Sequence, residues 1–237
     1  MQSAEFTIDV FKFVLLIFSL SVHECAHAWV ASRLGDQTAR MQGRVTLNPI
    51  YHIDPLGTLI MPAIIIFGPL IGFTLFSGIL IGWAKPTPVI SRNFAKIRRD
   101  ENLVTLAGPA SNLVLAVLAT LILLVVIHAA PGGREIVNFT LHGALLPEAS
   151  PSIQAIVLLG IAAVEINLAL LFFNLLPIPP LDGSQLLRNV LPYNAVQTYD
   201  RIPFWVSWIL MILVGGYIMR LLLAPAFAVV LFVLSHG

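Results

Sequence analysis

The stretch Ile8 to Ala31, IDVFKFVLLIFSLSVHECAHAWVA, decides the fold class. Its 24 mostly apolar residues extend roughly 36 Å as a helix, enough to cross a hydrocarbon core of about 30 Å. Its second half nevertheless holds His23, Glu24 and His27, which cost several kcal/mol within an apolar span unless they are paired or coordinated. A membrane helix whose polar end faces other protein is expected. Glu5 and Asp9 stand where a cleaved signal would carry basic residues, so the helix reads as retained.

Composition extends this reading to the whole chain. Of 237 residues, 58% are hydrophobic and 11% charged, against about 25% charged in an ordinary soluble domain. A net charge of +1, with no dense Lys/Arg cluster, excludes a nucleic-acid partner. The single cysteine, Cys25, excludes an intrachain disulfide.

Three further spans are expected at residues 103–130, 153–176 and 204–223, with a short C-terminal helix near 225–235 beyond Pro225. Residues 58–81 are equally apolar but broken by Pro62, Gly68, Pro69, Gly72 and Gly78, the composition of a re-entrant element. No internal repeat or soluble appendage is evident, and 131–152 reads as a loop. The expectation is therefore an all-α polytopic bundle forming a single domain over 1–237, with a short extended or β element after the first span.

The strongest chemical signal is His23-Glu24-Cys25-Ala26-His27, an H-E-x-x-H pattern. On a helix turning about 100° per residue, the two histidines lie about 40° apart and can bind one zinc ion, whereas Cys25 points about 200° from His23. Glu24 stands beside that face, placed to act as general base on a metal-activated water. A chain of this composition would contain roughly 0.004 such matches by chance, so a satisfied pair of core histidines is the weaker reading.

A catalytic zinc site needs a third protein ligand and an open position. The best candidate is Asp182, in Asn174-Leu175-Leu176-Pro177-Ile178-Pro179-Pro180-Leu181-Asp182-Gly183, where prolines end an apolar helix and let the chain deliver a carboxylate at membrane depth. For the two motifs to share a site, their helices must run in the same direction, so an odd number of crossings separates them. The span 103–130 supplies one, and 58–81 must then dip in and return. With that topology Arg33, Arg40, Arg44, Lys85, Arg92, Lys96, Arg98, Arg99, Arg188 and Arg201, ten of thirteen basic residues, share one side. By the excess of Lys and Arg in cytoplasmic loops, that side is the cytoplasm of a multi-pass cell-membrane protein.

H-E-x-x-H together with N-x-x-P-x-P-x-L-D-G resembles the site-2 protease family of intramembrane zinc metalloproteases, and the resemblance covers nearly the whole chain. Ala107-Gly108-Pro109-Ala110-Ser111-Asn112 is similar to the family's G-x-x-x-N motif, a pattern that also reads as small-residue helix packing. Asn48 to Gly57, followed by Gly82-Trp83-Ala84-Lys85-Pro86, is similar to compact prokaryotic members, and no PDZ-like or CBS-like domain is expected. The resemblance implies one zinc ion on His23, His27 and Asp182, Glu24 as acid/base, and Asn174 near substrate or oxyanion. It also implies transmembrane protein substrates, cut in regulated intramembrane proteolysis. Because a peptide bond must leave its helix before water reaches it, an exposed edge strand after the first span is expected to pair with an unwound substrate. A metal transporter or sensor would use the same ligands but requires a polar path across the membrane, whereas the polar residues here gather toward one face. Glu165 is expected to make a structural hydrogen bond rather than reach the metal, His52 and Asp54 to form turns, and Lys96, Arg98 and Arg99 to anchor on anionic lipid. His128, His142 and His236 are ordinary solvated histidines.

Overall fold

The computed structural model describes residues 2–72, 84–211 and 216–237. In chain order they form α1 (Gln2–Arg33), α2 (Thr38–Met41), a 3-10 turn (Pro49–Tyr51), a π-helical turn (Pro55–Ile60), α3 (Met61–Phe67), 3-10 turns at Gly68–Ile71 and Ser91–Asn93, and α4 (Ile97–Ala129). They continue with α5 (Gly133–Leu141), α6 (Pro151–Asn174), α7 (Asp182–Val190), α8 (Tyr193–Tyr199), α9 (Phe204–Leu210) and α10 (Gly216–His236). Among the described residues α1, α4 and α6 are long and apolar enough to cross a membrane. They leave Phe11, Val14 and Phe18 of α1 and Val114, Val117, Leu118, Leu121, Ile122 and Val125 of α4 exposed. A surface that apolar is compatible with lipid and not with water.

Direction within the bundle follows from who meets whom. Thr7, Ile8 and Phe11 share a small cavity with Pro151, Gln154 and Ala155, and Leu16 and Leu20 pack against Leu170. Thus α1 and α6 run the same way, as the parity argument requires. His27, near the end of α1, meets Val104, near the start of α4, so α4 runs against both. The core lies between α4, α5 and α6, on Leu123, Ile136, Val157 and Val164.

The stretch 58–81, expected to be re-entrant, is described up to Gly72, and its part from 73 to 81 lies outside the described residues. Its descending arm lies along α1, with Phe67 against Phe13 and Phe6. Its flanks meet: Lys85 N–H donates to His52 C=O at 2.9 Å. The buried Arg44 guanidinium ties the same junction by donating to the carbonyls of Tyr51 and Lys85. A stretch whose two ends are hydrogen-bonded to each other begins and ends on one side of the bundle.

Three expectations change. No strand forms among the described residues, so the extended or β element after the first span is instead a series of turns (42–54) and an unladdered strap (84–90). Asn48 and Asp54 there cap the short turns with their side chains, bending the chain where a strand would run straight. The expected loop at 131–152 contains α5, which buries Ile136, Val137 and Thr140 against the core. The helix break expected at Pro225 is absent: α10 continues through it, with Ile218 packed near Phe173 and Leu176 and its far end capped by Arg134 donating to Ser235 C=O at 3.1 Å. The crossing expected at 204–223 is therefore divided between α9 and α10, and its residues 212–215 lie outside the described ones. A proline inside a bundle helix loses one backbone bond, and neighbouring helices hold the helix together around it.

Candidate metal centre

His23 and His27 lie one turn apart on the buried face of α1, and α4 passes directly over them at Gly108. A Cβ there would stand 2.3 Å from His27 Nε2 and 2.5 Å from His23 Nε2. Only glycine allows this approach, which brings the backbone and polar side chains of α4 to the rear of both rings. His27 Nδ1 lies 2.7 Å from Val104 C=O, and His23 Nδ1 lies 2.6 Å from Asn112 Oδ1.

Asp182 arrives from the other side. Prolines 177, 179 and 180 terminate α6 at Asn174, and the Pro179–Pro180 peptide is cis. The turn is fixed in the core by Leu176, Ile178 and Leu181, packed with Phe173 and Met211, and by Tyr199 Oη donating to Pro177 C=O. Gly183 lets α7 begin against the end of α6, since a Cβ there would meet Leu175 C=O at 2.2 Å. Asp182, first residue of α7, then places Oδ2 3.1 Å from His23 Nε2 and 3.3 Å from His27 Nε2, while the two Nε2 atoms are 3.0 Å apart.

These three donor atoms fit a zinc ion. Ligand atoms around a tetrahedral zinc, at bonds of about 2.0–2.2 Å, stand roughly 3.3 Å apart. Asp182 Oδ2 is buried with no hydrogen-bond partner, and the converging imidazole and carboxylate lone pairs repel one another unless a cation joins them. Among the described residues this is the one group of three His, Cys, Asp or Glu side chains close enough to hold a metal.

Glu24 faces the same cleft, of about 460 Å³, without being one of the converging donors. Its Oε2 accepts from Thr87 N–H at 3.0 Å and from Thr87 Oγ1 at 2.7 Å. Thr87 lies on the strap, which is pinned at its far end by Asp36. That buried carboxylate accepts from Ile90 N–H at 2.7 Å and Asn93 Nδ2 at 2.8 Å, as well as from Thr38. Burial raises the Asp36 pKa, but the hydrogen bonds from Thr38, Ile90 and Asn93 outweigh it and hold the carboxyl below the ordinary aspartate range.

Asn174 lines the cleft, its amide nitrogen donating to Leu170 C=O at 2.9 Å. His52 is buried with Nε2 on Thr46 C=O, and Asp54 caps the turn at Leu56 and Gly57, so both build the segment that meets Lys85. Glu165 is exposed on α6 in the field of Lys12, and among the described residues it makes no hydrogen bond. His128, His142 and His236 are exposed and bond the carbonyls four residues back.

Sequence reasoning missed Thr87, Asp36 and Asn167. Thr87 sits between two prolines with no motif around it, and Asp36 reads as an ordinary turn residue. Gly108 and Asn112 were visible as a helix-packing motif, but not as the close pass over the imidazoles and the partner of His23 Nδ1.

Residues 11–213 match the profile of Peptidase family M50. The chain is 37% identical over 212 residues to "Putative zinc metalloprotease YwhC" of Bacillus subtilis, covering 87% of this chain and 82% of that one. It is 34% identical over 176 residues to "Putative zinc metalloprotease Rip2" of Mycolicibacterium smegmatis and 32% identical to Rip2 of Mycobacterium tuberculosis. These alignments cover 72% and 73% of this chain, and it spans about half the length of those two relatives, 55% and 54%. No solved structure matches the chain.

Proposed function

This chain belongs to peptidase family M50, and we propose that it is an intramembrane endopeptidase, hydrolysing peptide bonds within transmembrane segments of other membrane proteins. That it is a zinc metalloprotease with membrane-spanning helices follows from the family and from α1, α4 and α6. The intramembrane substrate and the residue roles are our reading.

The observation that carries it is the convergence of His23, His27 and Asp182, with Glu24 beside them, in a cleft walled by membrane helices. His23, His27 and Asp182 hold the zinc ion. When bound, zinc would supply Lewis acidity, polarising a scissile carbonyl and lowering the pKa of water toward about 7. Thr87 fixes Glu24 through Oε2 and leaves Oε1 to take a proton from the attacking water and return it to the leaving amine. Asn174 keeps one amide N–H on Leu170 C=O, and its second N–H faces the task of stabilising the oxyanion.

The cleft also supports the substrate class. One part is lined by Leu16, Leu20, Ile65, Ile66 and Leu170, and another by Glu101, Gln185, Arg188 and Asn189. Such a cleft suits an apolar segment with a polar flank. A helix must unwind before its peptide bonds are open to hydrolysis, so the cleaved bond belongs near a helix end. The basic residues on 33–44, 85–99 and 188–201 lie at the same end of the bundle as the site, which supports a cytoplasmic active site and contact with anionic lipid.

The test compares purified wild type with Glu24→Gln on a panel of single-span membrane substrates, with zinc stoichiometry measured on both. Wild type should cut, the variant should lose activity by at least about 100-fold, and both should hold about one zinc. Equal cutting by Glu24→Gln, or a purified wild type that binds no zinc, would overturn the mechanism.

A further inference from the structure

Asn112 of α4 and Asn167 of α6 are 0% and 2% exposed, deep in the bundle. Asn112 Nδ2 donates to Asn167 Oδ1 at 3.0 Å, and Asn167 Nδ2 donates to Ala163 C=O at 2.8 Å. Taken alone, this is a polar contact joining two membrane helices, a role amides often fill. The other end of the pair changes its meaning, because Asn112 Oδ1 is 2.6 Å from His23 Nδ1.

The polarity of the series is forced from one end. A backbone carbonyl only accepts, so Ala163 requires the NH2 group of Asn167 to face it. Asn167 must therefore turn Oδ1 toward Asn112, which must offer its own NH2 group in return. Asn112 is left with Oδ1 toward His23, and that oxygen only accepts. His23 Nδ1 accordingly carries the hydrogen, and Nε2 presents a lone pair toward Asp182 and His27. Reversing either amide would set donor against donor or acceptor against acceptor in a buried place.

We propose that Asn112 and Asn167 are positioning residues of the metal centre: a polarised relay, anchored on Ala163 C=O, that fixes the tautomer and ring orientation of His23. The proposal rests on the reading of His23 as a zinc ligand. His27 needs no relay, since Val104 C=O meets its Nδ1 directly. The His23 arm is thus the one that side-chain substitution can unlock.

The experiment measures zinc affinity by chelator competition on detergent-purified, folded full-length protein. Its variants are Asn112→Leu, Asn167→Leu, the double variant, His23→Ala and Gly160→Ala. Asn112→Leu removes the acceptor from His23 and should weaken zinc binding 10- to 100-fold. Asn167→Leu leaves that acceptor in place but frees the Asn112 amide to reverse, so its loss should be smaller. The double variant should be no worse than Asn112→Leu, because both residues act through one atom. Gly160→Ala crowds Leu123 at 2.8 Å on the same α4–α6 seam without touching the relay. It should lower thermal stability and leave zinc affinity unchanged.

If Asn112→Leu and Asn167→Leu lose stability as Gly160→Ala does while zinc affinity holds, the pair is helix glue and the relay is refuted. If Asn112→Leu does not fold, an Asn167→Leu protein of unchanged affinity refutes it equally. If His23→Ala binds zinc as wild type does, the reading of His23 as a ligand has failed and the proposal falls with it. Loss of zinc in His23→Ala with normal affinity in Asn112→Leu sinks the relay alone.

Discussion

At Gly108 the bundle has no room for a side chain. A methyl group there would lie 2.3–2.5 Å from ring atoms of His23 and His27, and those atoms cannot yield without leaving the position from which they converge on Asp182. Overpacking of this kind costs about 1–3 kcal/mol, which a membrane bundle can survive. Gly108→Ala should therefore remain folded, with a modest drop in thermal midpoint, while zinc stoichiometry falls well below one and proteolysis falls with it. Metal analysis on material that still unfolds cooperatively checks this, and one zinc per chain with normal activity would show that the rings have slack. The residues that bear charge or ring nitrogens, His23, Glu24, His27 and Asp182, were legible in the sequence because such groups are conspicuous in apolar spans. The residues that hold them were not. Gly108 and Asn112 show their role only when α4 is laid across α1, and Thr87 contributes through its backbone N–H and a hydroxyl that nothing in the sequence places beside Glu24.

Among the elements, the strap (84–90) and the 3-10 turn after it run from the Lys85–His52 junction past Glu24 of α1, and Asp36 is their fastener. Its hydrogen bonds come from Thr38, Ile90 and Asn93, all donors to the ionised carboxylate. Since these bonds hold its folded-state pKa below the unfolded value of about 3.9, the stabilisation is fully present above that value. It is lost as pH falls through the lower, folded-state value. Asn at this position replaces one acceptor by a donor facing another donor, a mismatch of about 1–3 kcal/mol. Thermal unfolding in detergent should find Asp36→Asn less stable than wild type at pH 7, with the gap narrowing below about pH 4. Curves that stay parallel to the acid end would show that the charge on Asp36 does nothing. The strap escaped the sequence reading because its partners lie about fifty residues away. A different reason hid α5: nine residues with Ile136, Val137 and Thr140 on one face are a weak period inside a Gly- and Pro-flanked segment. The long spans were legible because about twenty apolar residues in a row leave little alternative.

For the molecule as a whole, the topology requires the stretch between His52 and Lys85 to start and finish on the side that holds the metal centre. The hydrogen bond between its flanks and the shared direction of α1 and α6 are independent signs of it. Single cysteines in a Cys25→Ala background turn this into a labelling experiment with a membrane-impermeant thiol reagent. Met41, Arg92 and Val190 are exposed on segments before this stretch, after it and beyond α6, and Leu145 is exposed on the segment between α4 and α6. Met41→Cys, Arg92→Cys and Val190→Cys should be protected in intact cells and become labelled only when the cytoplasmic face is opened. Leu145→Cys should be labelled from outside throughout. If Arg92→Cys reacts from outside while Met41→Cys does not, the stretch crosses the membrane. His27 and Val104 would then stand on helices whose ends lie on opposite faces, a separation that their 2.7 Å hydrogen bond does not allow.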